Sequence, residues 1–476
     1  MIRFESIVPA RQESSNAFFY WTDRLAFLLL CFYTAENAIG CSGRWLSFGP
    51  LSIRMLLFGC CLILTLPRVI SQMEDLIRLP YLWVLAAFAV ILAVSAAIGL
   101  HNGNNRSFLF ADITSLLSFA LLPGVLVTVN SRERMKTLLK VVFYSTAILA
   151  LCAVTLHFII AFLTTKDITA LNDWINRMAL GGLAKMPTGV QRIYLRSQIF
   201  LQVSLLFGIW MLKGKHSKIE TGILWVSEII MLFAMILTYT RGFWLALGVT
   251  AVLFFVIFIR EWKHCLKCAG ILAVSLIVML GGSWIAYRTP SAAVAVLERF
   301  DPSLIVIMPS LPSEEPEPSE EEGDAFTQAV VLRSETLVEQ MRYIEEHPIL
   351  GNGLGKNLDG LRTDGKTEYM YQDLWMKTGM IGLVLFLLSC FWPVGSLIRT
   401  YWKTPKEQRK GLLDWNSDFS QAVTWGLAVF GIAITSYVNP FLTTPMGILV
   451  VLFTAAAVNL CLQNNAFDGK RMGESK

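Results

Sequence analysis

Residues 222–259 read GILWVSEIIMLFAMILTYTRGFWLALGVTAVLFFVIFI, and only Glu228 and Arg241 among them carry charge. Crossing a bilayer core of roughly 30 Å takes about 18 to 20 apolar residues at a rise of about 1.5 Å each. The halves 222–239 and 242–259 both meet that length, and only Thr240-Arg241 separates them. The stretch therefore predicts two membrane helices joined by a tight return at one membrane face. Gly242 is expected to let the chain turn there.

The same pattern extends over the whole chain. Of 476 residues, 55% are hydrophobic and 16% charged, against roughly 25% charged in soluble proteins. Mean hydropathy is +0.56. Ten further apolar blocks fall at about 24–41, 51–67, 80–100, 108–128, 138–163, 197–212, 268–287, 372–398, 421–438 and 445–462. The expected fold class is an all-α polytopic membrane protein of about twelve transmembrane helices. Residues 1–23 are polar without a signal-peptide pattern, so the first span is expected to act as the insertion signal.

Other classes lack support. The net charge of +5 comes without a basic, aromatic-interleaved patch, so nucleic acid is not an expected partner. Neither a repeat of 20–50 residues nor transporter-like two-fold hydropathy symmetry is visible. Cys60, Cys61, Cys152 and Cys390 lie in spans and read as small apolar packers. Cys265-Leu-Lys-Cys268 beside His264 has a metal-like spacing but no second ligand pair, so no metal is expected.

Charge sets the expected orientation. One set of short loops holds sixteen Lys and Arg residues, and the other holds only Arg44, Arg54, Arg106 and Arg241. The positive-inside rule then places both termini in the cytoplasm and segments 164–196 and 288–371 outside. Three regions result: spans one to nine (1–287), a large extracytoplasmic loop domain between spans nine and ten (288–371), and the last three spans with a cytoplasmic tail (372–476). The loop domain contains PSEEPEPSEEEG (312–323), which is too polar to pack and reads as a mobile linker. A helical run follows, with Val330, Leu337, Met341 and Ile344 on one face, ending at His347-Pro348.

Arg192, Arg196 and Arg241 stand at the outer ends of spans, where cations are scarce. Guanidinium groups held there suit an anionic lipid-linked phosphate, which they match in a bidentate fork. In GVQRIYLR (189–196) the two arginines are four apart and would share one face of a helix. HPILGNGLG (347–355) offers amides for an anion-binding nest. Glu36, Asp112, Gln372 and Asp373 lie in the outer halves of spans and Glu228 in an inner half. Glu36 and Asp112 are expected to pair with arginines, and His157 to be a packed, hydrogen-bonded histidine.

Three segments in order, TYTRGFW (238–244), the run from Arg333 through HPILGNGLG (347–355), and EYMYQDLW (368–375) ending in GMIG (379–382), resemble the O-antigen ligase and O-antigen polymerase superfamily. The resemblance covers roughly residues 185–400. Members are multi-span glycosyltransferases acting on undecaprenyl-pyrophosphate-linked glycans at the outer face of the cytoplasmic membrane. The resemblance implies that Arg241, with Arg192 or Arg196, binds the donor pyrophosphate. Arg333, Tyr369 and Tyr371 complete the expected substrate-binding set. Partners would be the lipid-linked glycan donor, a glycan, lipid or protein acceptor, and membrane lipids, with no cofactor.

Ligases of this family usually carry a histidine eleven residues before the first glycine of GMIG. Here that place is Glu368, and the nearest histidine is His347. Either Glu368 takes the base role, or His347 swings in, or the chain is a polymerase or a divergent branch. The reading from a different class is a lipid-linked oligosaccharide transporter or flippase without catalysis. Convergence of the arginines and Glu368 on one cavity would favour the enzyme.

Overall fold

The computed structural model describes residues 17–43, 47–48, 51–162, 168–186, 190–214, 216–287, 291–298, 320–358 and 367–473. From α1 (Ala17–Ile39) the chain runs through the short strands β1 (Ser47–Phe48) and β2 (Leu51–Ser52). Next come α2 (Ile53–Ser71), α3 (Met73–Ile77), α4 (Pro80–His101), α5 (Arg106–Leu116), α6 (Leu122–Thr128) and α7 (Arg132–Phe162). α8 (Thr169–Arg177) and a hairpin of β3 (Gly181–Lys185) and β4 (Gln191–Leu195) precede α9 (Ile199–Met211), α10 (Lys218–Leu237) and α11 (Arg241–Ile257). The remainder is α12 (Trp262–Tyr287), α13 (Ser291–Glu298), α14 (Glu320–Glu346), α15 (Met370–Lys403), α16 (Lys406–Leu412), α17 (Asp418–Thr435) and α18 (Pro445–Gly473).

Every apolar block read from the sequence lies on a helix, yet the blocks are not equivalent. Among the described residues, eight helices are long and apolar enough to cross a membrane. α9, with 13 residues, reaches only about 20 Å, and α11 is likewise a shorter apolar helix. Asp23, Arg24 and Glu36 dilute the apolar character of α1, as Asp418, Ser420, Gln421 and Thr424 dilute that of α17. α9 and α18 are the central helices. Ile199 to Gly208 are all buried, and 89% of the apolar window of α18 is enclosed.

The two ends of the bundle differ in charge. At the lysine- and arginine-rich end, Asp23 pairs with both Arg68 and Arg134, and Arg132 pairs with Asp418 at 3.0 Å. There Trp210 and Trp415 also donate their indole N–H groups to each other's carbonyls, at 3.1 and 2.7 Å. At the opposite end α1, α4, α7, α10 and α17 finish and α2, α5, α9, α11, α15 and α18 begin. That second end carries the candidate site.

Several local expectations need correction. The segment holding Arg192 is a strand: β4 pairs with β3 so that Arg192 faces Ala184 and Tyr194 faces Gly182. Arg196 follows the strand, so the two arginines do not share a helical face. Gly181 and Gly182 are required because a Cβ at either would run into Tyr194. The turn between α10 and α11 is made at Tyr239 (φ 45°), not at Gly242. Gly242 is helical, and a Cβ there would lie 3.1 Å from Val438.

The buried face of α14 is also displaced. Thr336, Gln340 and Ile344 point inward, whereas Leu337 is half-buried and Met341 exposed. Gln340 Nε2 donates to Thr367 Oγ1 at 2.6 Å, and Ile344 packs with Leu358 and Met376. Polar periodicity thus docks α14 beside the start of α15. Residues 312–319 of the expected linker, and the side chains of Val330, Cys265 and Cys268, lie outside the described residues.

Candidate functional site

The site is built around a broken helix. α15 departs from helical geometry at Gly379 (φ 70°, ψ 178°), which frees backbone groups that a continuous helix would satisfy. At membrane depth such groups must find partners inside the protein. The glycine-rich loop supplies them. Asn352 N donates to Met376 O at 2.8 Å and Gly353 N to Lys377 O at 3.0 Å, and Met380 N donates back to Pro348 O at 2.9 Å.

The loop is bound on its other side as well. Leu354 N donates to Ser95 O of α4 at 2.9 Å, and the Asn104 amide reaches the carbonyls of Asn352, Gly353 and Leu354 at 3.0–3.2 Å. Gly351, Gly353 and Gly355 all have positive φ. A Cβ on Gly353 would fall onto Gly99 of α4. The expected anion nest is therefore not formed: these amides are taken by the helix break, by α4 and by Asp112. The loop is a backbone plug.

A charged cluster locks the plug. Lys377 Nζ donates to Asp373 Oδ2 at 2.9 Å and to Asp112 Oδ1 at 3.2 Å, while Asp112 Oδ2 accepts Gly355 N at 3.0 Å. The Lys377 side chain is only 2% exposed. Asp112 thus pairs with a lysine rather than with the expected arginine. Lys377 is inconspicuous in the sequence because one cation barely alters the mean hydropathy of a long span. A lysine inside an apolar helix was itself the signal.

A cavity of about 1160 Å³ opens at this end of the bundle. Its wall includes Tyr33, Arg54, Ser115, Arg192, Tyr194, Arg196, Gln198, Glu368, Asn439, Pro440 and Phe441. Asp112, Lys377 and Asp373 line a small adjoining space together with Ser115 and Pro440, so they stand directly behind that wall. Arg192 is half-buried and fixed: its Nε donates to Thr238 O at 2.8 Å and its other guanidinium N–H to Thr240 Oγ1 at 2.9 Å. Arg196 is exposed to the cavity and has no ion-pair partner among the described residues.

Arg54, a loop cation by its sequence position, is buried here. Its Nε donates to Glu36 Oε2 at 2.7 Å and its guanidinium also reaches Cys41 O at 2.8 Å. That pairing agrees with the structural role expected for Glu36.

Of the remaining candidates, Arg241, His347, Tyr369 and Tyr371 do not line the cavity. Arg241 is exposed at the start of α11, three residues beyond the carbonyl that holds Arg192. His347 is exposed just past the end of α14. Arg333 lies on α14, with its side chain outside the described residues. Tyr369 meets Tyr437 edge to face at 6.3 Å, and the Tyr371 hydroxyl donates to Ala433 O at 2.6 Å. His157 is buried with its Nε2 3.1 Å from Ser283 Oγ.

No curated protein matches the chain. Residues 227–387 match the family model described as O-Antigen ligase. The matched stretch runs from within α10 across the arginine turn, the plug and the break in α15. Over that third of the chain the protein is similar to O-antigen ligases, which supports the resemblance to the O-antigen ligase and polymerase superfamily.

Proposed function

We propose that the chain transfers or polymerises glycan from an undecaprenyl-pyrophosphate-linked donor onto an acceptor hydroxyl at the outer face of the cytoplasmic membrane. The observation that carries this reading is that Arg192, Arg196 and Glu368 line one cavity. All its walls come from a single end of the bundle, which suits a reaction chamber better than a passage for carrying lipid across. Twelve crossings, with the cytoplasm at the lysine-rich end, belong to the same reading.

The donor needs no further activation. The acceptor oxygen attacks the anomeric carbon as the bond to the pyrophosphate oxygen breaks, and the polyprenyl pyrophosphate leaves with the electron pair. Attack opposite the leaving group inverts the anomeric centre. Arg196 and Arg192 offset the charge that grows on the leaving oxygens. Arg241, at the positive end of α11, reaches the lipid phosphate from outside the rim. Glu368 orients the acceptor hydroxyl and accepts its proton.

Glu368→Gln keeps shape and hydrogen bonding but removes the proton acceptor. Turnover should fall by about 10²–10⁴ with donor binding nearly unchanged. His347→Ala should cost little, because His347 is outside the cavity. Loss of transfer in His347→Ala alongside normal turnover in Glu368→Gln would assign the base to the histidine.

A further inference from the structure

The lysine- and arginine-rich end holds a second large space, a groove of about 1120 Å³ that shares no lining residue with the candidate site. Its floor is α17, and its walls are the last turns of α11 and of α15. Away from the charged end the lining is apolar, with Phe391, Val394 and Phe430. The mouth carries Arg260, Lys406 and Arg409.

Its depth is that of one leaflet. From Phe419 to Phe430 α17 rises about 16 Å, roughly half of a 30 Å hydrocarbon core. At the mouth Arg409 stacks over Tyr401 and Trp402, 5.3 and 5.2 Å from the ring centres. Its guanidinium is held there by donating to Thr404 O at 2.9 Å and Trp402 O at 2.8 Å. Aromatic rings with flanking cations are typical of the headgroup level. Arg260 and Lys406 are exposed and have no ion-pair partner among the described residues. Of the two acids at the mouth, Glu261 is already paired with Lys213, which leaves Asp414 against three cations.

We infer that this groove seats an anionic phospholipid of the bilayer, its acyl chains along α11, α15 and α17 and its phosphate against Arg260, Lys406 and Arg409. Cationic pockets between membrane helices recognise acidic headgroups through these contacts. The site is independent of the glycan-transfer reading.

The test is native mass spectrometry of the full chain released from bilayers of phosphatidylglycerol and phosphatidylcholine in equal amounts. The wild-type protein should retain phosphatidylglycerol in clear preference. Each surface cation contributes about fivefold, so Arg260→Gln with Lys406→Gln should weaken retention about twenty-fivefold. Equal retention of both lipids by the wild type, or full retention of phosphatidylglycerol by the double variant, would overturn the proposal. A lipid-free dimer would overturn it too, by showing a second copy in the groove.

Discussion

Lys377→Met is expected to destabilise the protein by about 3–5 kcal/mol, the usual cost of removing one partner from a buried ion pair. Two carboxylates, Asp112 and Asp373, would then face each other without the ammonium that bridges them at 3.2 and 2.9 Å. Asp112 also holds Gly355 N, so the glycine plug should loosen as well. Removing all three charges, by Lys377→Met with Asp112→Asn and Asp373→Asn, should recover much of the loss, because no charge is left buried alone. Thermal unfolding in detergent measures both variants. A single variant as stable as the wild type, or a triple variant worse than the single one, would mean that the cluster is not an electrostatic lock.

The second large effect is expected at the arginines of the cavity. Arg196→Ala removes a cation that has no ion-pair partner among the described residues, and Arg192→Ala removes one held by the turn between α10 and α11. Each should lower transfer by about 10²–10³, the range for losing one preorganised donor to developing negative charge. Arg192→Lys should restore little. A single ammonium on a flexible stem cannot keep the fork geometry that engages Thr238 O and Thr240 Oγ1 and still meet a phosphate. Arg177→Ala, at an exposed position of α8 in the same segment 164–196, is the control and should leave transfer unchanged. Arg241→Ala should cause a smaller loss, because Arg241 does not line the cavity. Equal effects at Arg177 and Arg196 would reduce the argument to general surface charge.

Helices were readable in the sequence because their signal is local. Twelve apolar blocks became helices, and the double block 222–259 became α10 and α11, with the return between them made at Tyr239 rather than at Gly242. Glu368, Arg192 and Arg196 were readable as residues of one end of the bundle, because all three stand at the ends of apolar spans away from the lysine-rich loops. What was not readable depends on distant partners. The strand at 191–195 exists because Gly181 and Gly182 leave room for Tyr194 across the hairpin. The glycine loop looked like an anion nest because its amides seemed unclaimed. Their acceptors, the carbonyls of Met376 and Lys377, become available only when Gly379 breaks a helix some twenty-five residues later. Asp112 finds its lysine 265 positions away, a separation at which no sequence window pairs them.

The most direct measurement is release of polyprenyl pyrophosphate by the purified full chain, supplied in bilayers with a lipid-linked glycan and candidate acceptors. The account predicts release together with growth of the acceptor glycan, both lost in Arg196→Ala and in Glu368→Gln. Movement of intact lipid-linked glycan between leaflets, with no pyrophosphate released and no new glycosidic bond, would contradict it.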